Sequence, residues 1–189
     1  MGQGHAGAAV RAPYCLTYSC ESERALLARS YSRYNAWVSK IRPYQPRDFD
    51  RLVEIDHACF AEGIAYPEEE MRHFLEMPSA TRLVAHQNRK IEGFIIADCL
   101  RPRRGSRAMG RIITIDVMPG AQGKSLGSML LKAAEDELHK ADCDYVSLEV
   151  AVDNERALRF YKKHGYSVLK VLPRYYMGQI DGLLMGKKL

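Results

Sequence analysis

The second half of the chain alternates between strand-like and helix-like segments, and this order limits the folds that it can adopt. Apolar residues alternate over residues 112–118, and a helical pattern follows over 125–141. The order then repeats with a strand at 145–150, a helix at 155–164 and a strand at 166–172. Strands that are joined through a helix pair in parallel when they are neighbours in one sheet. The pattern therefore predicts at least one parallel pair of strands.

The first half has the spacing of an antiparallel meander. A strand over 41–44 precedes a helix that runs from Asp48, a suitable N-cap, to about residue 60, and a short helix follows Pro67. The segments 81–86 and 91–100 are rich in β-branched and apolar residues and flank a turn, which predicts a hairpin. We therefore expect an α/β protein with helices layered on a mixed, mostly antiparallel central sheet.

The length of 189 residues suits one domain with an additional segment. We assign residues 41–189 to the domain and residues 1–40 to an N-terminal extension. The extension begins with a Gly- and Ala-rich region that offers no periodic apolar face, so we expect it to be partly disordered. Within it, residues 21–40 have the spacing of a helix.

Cysteine usage and charge exclude several classes of protein. Five cysteines occur without C-x-x-C spacing, which disfavours a disulfide framework and a zinc site, and we predict no bound metal. The odd number of cysteines fits a reducing compartment, so we expect a cytoplasmic protein. No apolar run approaches the ~20 residues that cross a bilayer, and we expect no membrane partner. A net charge of +5 is too small to indicate a nucleic-acid partner.

The loop M-P-G-A-Q-G-K-S-L-G-S, at residues 118–128, joins a predicted strand to a predicted helix. Its glycines Gly120, Gly123 and Gly127 permit a close approach of the backbone. The helix that begins near Ser125 directs its unpaired N–H groups and its positive dipole end towards this loop. The loop therefore suits a phosphate group, although an ordinary turn with Ser125 as a helix cap would have the same sequence.

Two classes of phosphate-binding loop do not fit this segment. A nucleoside-triphosphate loop, G-x-x-x-x-G-K-[ST], matches at Gly123, Lys124 and Ser125 but requires a glycine where Met118 stands. A dinucleotide fingerprint, G-x-G-x-x-G, requires two glycines separated by one residue, and the loop has none.

A third class fits the same segment. Residues 122–127, Q-G-K-S-L-G, resemble the [QR]-x-x-G-x-[GA] signature of the GNAT superfamily of N-acetyltransferases, with Ser125 in place of the usual glycine. About thirty residues later the chain matches a second GNAT pattern, N-x-x-A-x-x-F-Y-x-x-x-G-[FY]. Its matched positions are Asn154, Ala157, Phe160, Tyr161, Gly165 and Tyr166. The resemblance covers residues 41–189 and is greatest to the RimI-like protein N-terminal acetyltransferases.

The resemblance implies the GNAT fold, with a parallel strand pair at the binding site of acetyl-CoA, which would be the co-substrate. The family uses the end of the preceding strand, the loop and the later helix to bind this molecule. Asn154 corresponds to a residue that binds pantetheine, although an ordinary N-cap explains the same residue. The expected acetyl-CoA-binding residues are Ile115, Asp116, Val117, Gln122, Gly123, Lys124, Ser125, Leu126, Gly127, Ser128, Asn154, Ala157 and Tyr161.

The resemblance also implies two catalytic residues. Tyr161 would be the general acid that protonates the departing thiolate of CoA, and Glu149 would be the base that deprotonates the amine, directly or through water. A terminal α-amine has a pKa of about 7.7 to 8.0, so it requires only a modest base. Each residue also has an ordinary structural interpretation, because Tyr161 resembles a core aromatic and Glu149 a solvent-facing carboxylate on a strand.

Tyr175 and Tyr176 resemble the aromatic pair that lines the acceptor-peptide groove of RimI-like enzymes, and they equally suit alternating positions of a strand. The acidic residues that commonly follow in the family are reduced here to Asp181. The acceptor is expected to be a protein N-terminus, such as that of a ribosomal protein. A lysine or small-amine acceptor, or a non-catalytic acyl-CoA-binding module, stays open, and so does the choice between monomer and dimer.

Overall fold

The computed structural model describes residues 39–60, 64–87, 89–101 and 107–189. The N-terminal extension, and the helix predicted within it, lie outside the described residues except for the last two positions. Most of the arginine-rich segment between the third and fourth strands also lies outside them.

The described residues form a seven-stranded sheet and four α-helices. The strands are β1 (Lys40–Pro43), β2 (Ala80–Gln87), β3 (Lys90–Leu100), β4 (Ala108–Val117), β5 (Cys143–Ala151), β6 (Ser167–Tyr176) and β7 (Ile180–Lys188). The helices are α1 (Phe49–Cys59), α2 (Glu68–Glu76), α3 (Leu126–Lys140) and α4 (Glu155–Lys163). None of these four helices has the length and hydropathy needed to cross a membrane.

The sheet has the order β1-β2-β3-β4-β5-β7-β6, and β4–β5 is its parallel pair. All other neighbours are antiparallel, so the predicted mixed, mostly antiparallel sheet is confirmed. The parallel pairing is short, because it begins at Ala108↔Cys143 and ends at Arg111↔Ser147. Residues 112–117 of β4 and 148–151 of β5 continue without pairing to each other. This gap in the sheet positions the candidate site.

Helices cover both faces of the sheet and divide the core into two clusters. One cluster lies against α3 and α4 and includes Ile95, Leu126, Leu130, Leu131, Leu138, Val146, Leu148 and Met185. The other lies against α1 and α2 and includes Phe49, Leu52, Ile55, Met71, Phe94 and Ile96. Within β5, the residues that face α3 alternate with partly exposed residues, including Glu149, that face the opposite side.

Strand β7 is absent from the pattern predicted from the sequence, and its two glycines explain why. Gly182 and Gly186 interrupt the apolar alternation of the segment, which weakens the strand pattern. Packing requires one of them, because a Cβ at Gly186 would lie 2.6 Å from the Tyr145 ring and 2.7 Å from Leu169. The strand therefore forms through its pairing with β5 and β6 on either side.

Strand β6 also extends further than the predicted end at residue 172. It continues through Pro173 to Tyr176, with a shift of register between Leu172 and Tyr176. Proline is tolerated because β6 is at the edge of the sheet, where an N–H group is not required on the open side.

Asp48 occupies the N-cap position of α1, as predicted, but its side chain has another role. Its side chain makes no capping hydrogen bond to α1. Instead the buried carboxylate accepts two hydrogen bonds from the Arg42 guanidinium, at 2.6 and 2.9 Å, and one from the Gln45 N–H at 2.8 Å. The hydrogen bond from Arg42 lowers the pKa of Asp48. Asp48 thus fastens β1 to the turn before α1.

Candidate active site

A cleft of about 580 Å3 opens at the end of β4, where the sheet has its gap. Its walls are the end of α1, the loop after β4, the first turn of α3 and one side of α4. The groups that border it include Cys59, Val117, Gln122, Ser125, Asn154 and Tyr161. Most of the residues that the sequence predicts for acetyl-CoA binding therefore lie around one cleft.

The loop before α3 presents free backbone N–H groups to this cleft. Gly123 and Ser125 have positive φ angles of 80° and 64°. Ser125 occupies the N-cap position of α3, but its side chain makes no capping hydrogen bond to the helix. A Cβ placed on Gly120 or Gly123 would meet no atom within 4 Å, so the space above the loop is open. The first turn of α3 can therefore bind an anion through its N–H groups and its dipole.

Side chains hold the loop against β4 and α4. The Gln122 Nε2 donates to the Val117 carbonyl oxygen at 2.8 Å, and its Oε1 accepts from Arg156 on α4. At Gly127, α3 lies near α4, and a Cβ there would make an ordinary van der Waals contact with the Phe160 ring at 3.5 Å. Sequence reasoning missed Arg156, which occupies a variable position of the second GNAT pattern and so carries no signal.

The end of β4 offers two N–H groups to the gap in the sheet. The Met118 N–H donates to the Glu92 carbonyl oxygen of β3 at 2.9 Å, so it is not available for a ligand. Hydrogen-bonding direction alternates along an antiparallel strand. The N–H groups of Val117 and Ile115 therefore point away from β3. They face the gap between β4 and β5, where the two strands no longer pair.

Asp116 borders the cleft, but its carboxylate faces the core. The residue is 1% exposed, and both carboxylate oxygens accept from the Thr114 hydroxyl at 3.0 and 3.1 Å. Burial, followed by the nearby charge of Asp56, raises the pKa of Asp116 well above its ordinary value. A contact between this residue and a ligand in the cleft would involve its backbone.

Tyr161 is positioned by α4, whose first turn is capped by Asn154. The Asn154 Oδ1 accepts from the Ala157 N–H at 3.0 Å, so the residue is a helix cap, and it also borders the cleft. The Tyr161 ring packs against Phe160 and Tyr166, with centroid distances of 5.3 and 5.6 Å. Burial is the main cause that raises the pKa of Tyr161. None of the described residues accepts a hydrogen bond from its hydroxyl.

Cys59 also borders the cleft, and its surroundings keep it protonated. The Sγ donates to the Val117 carbonyl oxygen at 3.3 Å. Burial, followed by the charge of Asp116, raises the pKa of this thiol to about 11. A thiolate is the reactive form of cysteine, so Cys59 is a poor nucleophile at neutral pH.

Glu149 lies on β5 beyond the last residue that pairs with β4, on the face opposite α3. Arg111 of β4 donates to its Oε2 through Nε and Nη2, at 3.3 and 3.2 Å. The other carboxylate oxygen, Oε1, accepts no hydrogen bond from the described residues. The Glu149 side chain is only 19% exposed, so it is not the solvent-facing carboxylate of the alternative interpretation. Sequence reasoning missed Arg111, because an arginine at the start of a strand resembles an ordinary surface residue.

Aromatic side chains surround this ion pair. The Tyr175 and Tyr176 rings meet edge to face at 5.1 Å, and Tyr175 is 47% exposed. Burial, then Tyr175 and Glu149, raise the pKa of Tyr176. Tyr66, between α1 and α2, donates to the Ile113 carbonyl oxygen at 3.4 Å, and burial raises its pKa to about 12.

Asp181, the one acid that follows the tyrosine pair, has a role within the β6–β7 hairpin. Its Oδ1 accepts from the Arg174 N–H at 2.7 Å. Arg174 has a positive φ angle of 51°, and this hydrogen bond stabilises the irregular end of β6 that carries Tyr175. Asp181 is therefore engaged by the protein backbone.

The fold and the cleft together define an acyltransferase, and comparison with known families agrees. Residues 49–166 match the acetyltransferase (GNAT) family. The chain belongs to this family, as its two sequence signatures predict, and acetyl-CoA is its co-substrate. The residues around the cleft fit this molecule, since the first turn of α3 offers N–H groups to a diphosphate and Tyr161 on α4 has a hydroxyl with no acceptor among the described residues.

Individual relatives support the same class. An uncharacterized N-acetyltransferase of Methanocaldococcus jannaschii is 33% identical over 149 residues, which are 78% of this chain and 90% of that protein. An N-alpha-acetyltransferase of Sulfurisphaera tokodaii is 27% identical over 79% of this chain and 93% of its own length. The crystal structure of Arabidopsis thaliana NAA60 in complex with acetyl-CoA shares the fold, with a TM-score of 0.71 and 20% identity over 80% of this chain and all of that one.

Proposed function

We propose that the protein transfers the acetyl group of acetyl-CoA to the N-terminal α-amine of a protein, with Glu149 as the base and Tyr161 as the acid. The N-alpha-acetyltransferase of S. tokodaii supports a terminal amine as the acceptor. A ribosomal protein is one candidate acceptor, in line with the resemblance to RimI-like enzymes.

One observation carries this proposal. Strands β4 and β5 stop pairing at Arg111↔Ser147, and the two candidate catalytic residues belong to the elements that follow this point. Glu149 lies two residues beyond Ser147, with Oε1 free to accept a proton. Tyr161 lies on α4, which follows β5, with a hydroxyl that none of the described residues uses. An amine and a thioester that meet in the gap would have a proton acceptor and a proton donor near them.

The chemistry follows from these two groups. The Glu149 carboxylate takes a proton from the acceptor ammonium, directly or through one water, which leaves a neutral amine. The amine nitrogen attacks the thioester carbonyl carbon, and the N–H groups of Val117 and Ile115 can stabilise the developing charge on the oxygen. The C–S bond then breaks as Tyr161 donates its proton to the sulfur, and the tyrosinate takes back a proton from the attacking nitrogen, directly or through water. The products are an N-acetylated terminus and CoA with a free thiol.

The raised pKa of Tyr161 suits this role. Burial and the nearby Asp116 keep the hydroxyl protonated throughout the neutral range. It therefore retains the proton that the departing thiolate requires. A terminal amine, with a pKa of about 7.7 to 8.0, places only a small demand on Glu149.

The proposal is tested by incubating the protein with acetyl-CoA and peptides, and following the release of the CoA thiol. One set of peptides has a free terminus and no lysine. The matched set has a blocked terminus and one internal lysine. We expect acetylation of the first set, located at the terminal nitrogen by mass spectrometry. Turnover confined to the lysine peptides or to free amines would assign the other acceptor class.

The candidate base is tested with Glu149→Gln, which keeps the hydrogen bond from Arg111 but removes the carboxylate. We expect kcat to fall by roughly 10²- to 10⁴-fold, the usual contribution of general-base catalysis, with the KM for acetyl-CoA little changed. Glu155→Gln, an exposed change on α4, is the matched control. Equal activity of Glu149→Gln and the control would exclude Glu149 as the base.

A further inference from the structure

The Arg111–Glu149 pair lies at the point where β4 and β5 separate, on the side of the sheet opposite α3. Arg111 is the last residue of β4 that pairs with β5. The surrounding rings of Tyr66, Tyr175 and Tyr176 bring no formal charge to this region. A cation and an anion in contact thus lie between neutral aromatic walls, where an acceptor peptide would enter.

Arg111 uses only a part of its hydrogen-bonding capacity. A guanidinium has five N–H donors, and two of these, on Nε and Nη2, reach the same oxygen of Glu149. No acceptor among the described residues meets the other three. The Arg111 side chain is 42% exposed, against 19% for Glu149, so these donors face an accessible space.

The contact with Glu149 is also loose. Its distances of 3.2 and 3.3 Å are longer than the 2.7 to 2.9 Å typical of a charge-assisted hydrogen bond. By contrast, Arg42 reaches Asp48 at 2.6 and 2.9 Å in the same protein. Arg111 can therefore exchange partners at small energetic cost when another anion approaches.

Asp98, the residue opposite Arg111 on β3, does not take these donors. The two residues are Cα partners in the antiparallel pairing. Asp98 is 4% exposed, and its Oδ1 has no hydrogen-bond partner among the described residues. Its carboxylate lies within the fold, so Arg111 keeps its exposed donors for a ligand.

We propose that Arg111 selects acceptors with an acidic side chain within their first two residues, by binding that carboxylate while Glu149 receives the terminal amine. This inference rests on the proposed terminal-amine acceptor. The geometry matches an acceptor that carries its positive amine and a negative side chain close together. Consecutive Cα atoms are 3.8 Å apart, so only the first residues of a peptide can contact both members of an ion pair in direct contact.

Binding of such an acceptor would replace the Arg111–Glu149 ion pair with two ion pairs to the acceptor. The acceptor carboxylate accepts hydrogen bonds from Arg111, and Glu149, released from a part of that contact, accepts from the terminal ammonium. An acceptor with lysine or arginine near its terminus would bring a like charge to Arg111 and would be disfavoured. Arg111 would therefore select acceptors in two ways: it attracts an acidic side chain and repels a basic one.

The experiment compares peptides that differ only at the second residue, which is Asp, Asn or Lys, with Ala or Met as the first. We measure kcat/KM for each peptide from CoA release. For the wild-type protein we expect Asp to be preferred over Asn by about 10- to 100-fold, the range of a hydrogen bond between charged groups, and Lys to be the poorest. In Arg111→Gln the ratio of Asp to Asn should fall to about one.

Ratios within one variant cancel any effect of the substitution on Glu149, so the readout concerns selection alone. Arg111→Lys keeps the charge and should restore a part of the preference. Lys132→Glu, an exposed change on α3, is the control for net charge and should leave the ratio unchanged.

Two outcomes would overturn the inference, and they are distinguishable. Turnover of free-amine peptides with no preference for Asp, or an unchanged preference in Arg111→Gln, would reject the role of Arg111 and leave the proposed function in place. No turnover of any free-amine peptide would reject both.

Discussion

Ser125 shows why one position of the phosphate-binding loop normally holds glycine. Its φ angle of 64° lies in the left-handed region, which costs an L-residue with a Cβ roughly 1–2 kcal/mol. Its hydroxyl provides no capping hydrogen bond in return. The sequence shows the substitution of Ser125 for glycine but not this strain. The consequence is conformational, and only the backbone angle reveals it.

We therefore predict that Ser125→Gly stabilises the protein. Glycine relieves the strain but loses more entropy on folding, so we expect a net gain of about 0.5–1 kcal/mol, or about 1–4 °C in Tm. Ser128→Gly, the same chemical change inside α3, should destabilise the protein, because it lowers the helix propensity and removes the hydrogen bond between the Ser128 hydroxyl and the His164 Nε2. Thermal and urea unfolding of both variants measure the difference. A loss of stability in Ser125→Gly would contradict the strain argument.

A second prediction concerns Tyr161, the candidate acid. Tyr161→Phe keeps the ring packing against Phe160 and Tyr166 and removes only the hydroxyl. We expect kcat to fall by roughly one to three decades while the Kd for acetyl-CoA, measured by calorimetry, stays within about twofold.

The pH dependence of the wild-type protein provides a check on the same residue. The pKa of Tyr161 is raised, so the acid keeps its proton and its contribution to catalysis up to strongly alkaline pH. An alkaline loss of kcat with an apparent pKa below about 9 that is absent from Tyr161→Phe would contradict the raised pKa of Tyr161.

The N-cap residue of α4, Asn154, combines a structural role with a proposed binding role. The Asn154 Oδ1 caps the helix, and its amide NH2 is left for the pantetheine contact that the resemblance implies. Asn154→Asp should keep the cap and the free energy of unfolding, but weaken acetyl-CoA binding because the amide donor is lost. Asn154→Ala should lose both, with about 1 kcal/mol of stability. If Asn154→Asp binds acetyl-CoA as the wild type does, Asn154 is a cap alone.

The elements that were predictable from the sequence are those whose own side chains specify them. The helices α3 and α4 were predicted to within about one residue of each end, because their apolar periodicity and end signals agree. Strand β7 was not, because Gly186 is dictated by the Tyr145 ring of a neighbouring strand. The contact between Arg111 and Glu149 was equally inaccessible, since 38 residues separate them and the chain alone gives no indication that they meet.

At the scale of the whole molecule, the buried Asp116 couples stability to pH. Its folded-state pKa is raised by burial, so its contribution to stability is complete below the unfolded value of about 3.9 and is lost as the pH rises through the folded value. Asp116→Asn keeps an oxygen that accepts from Thr114 and removes the buried charge. We expect it to raise the free energy of unfolding at pH 7–8 relative to the wild type.

Urea unfolding at several pH values between 4 and 8 checks this prediction. The gain should vanish near pH 4, where the wild-type carboxyl is also neutral. Asp153→Asn, an exposed change in the turn before α4, is the control and should show no such trend. A gain that is independent of pH would mean that Asp116 is not the source of the coupling.

The short parallel pairing of β4 with β5 has a consequence for hydrogen exchange at the end of β4. Only four residue pairs, from Ala108↔Cys143 to Arg111↔Ser147, join β1–β4 to the β5–β7–β6 group within the sheet. A molecule seated in the gap would supply the cross-strand contacts that the polypeptide omits there. Amide hydrogens of Ile115 and Val117 should then exchange with deuterium more slowly in the loaded protein. The substrate would act as a temporary eighth strand that the enzyme takes up and releases at every turnover.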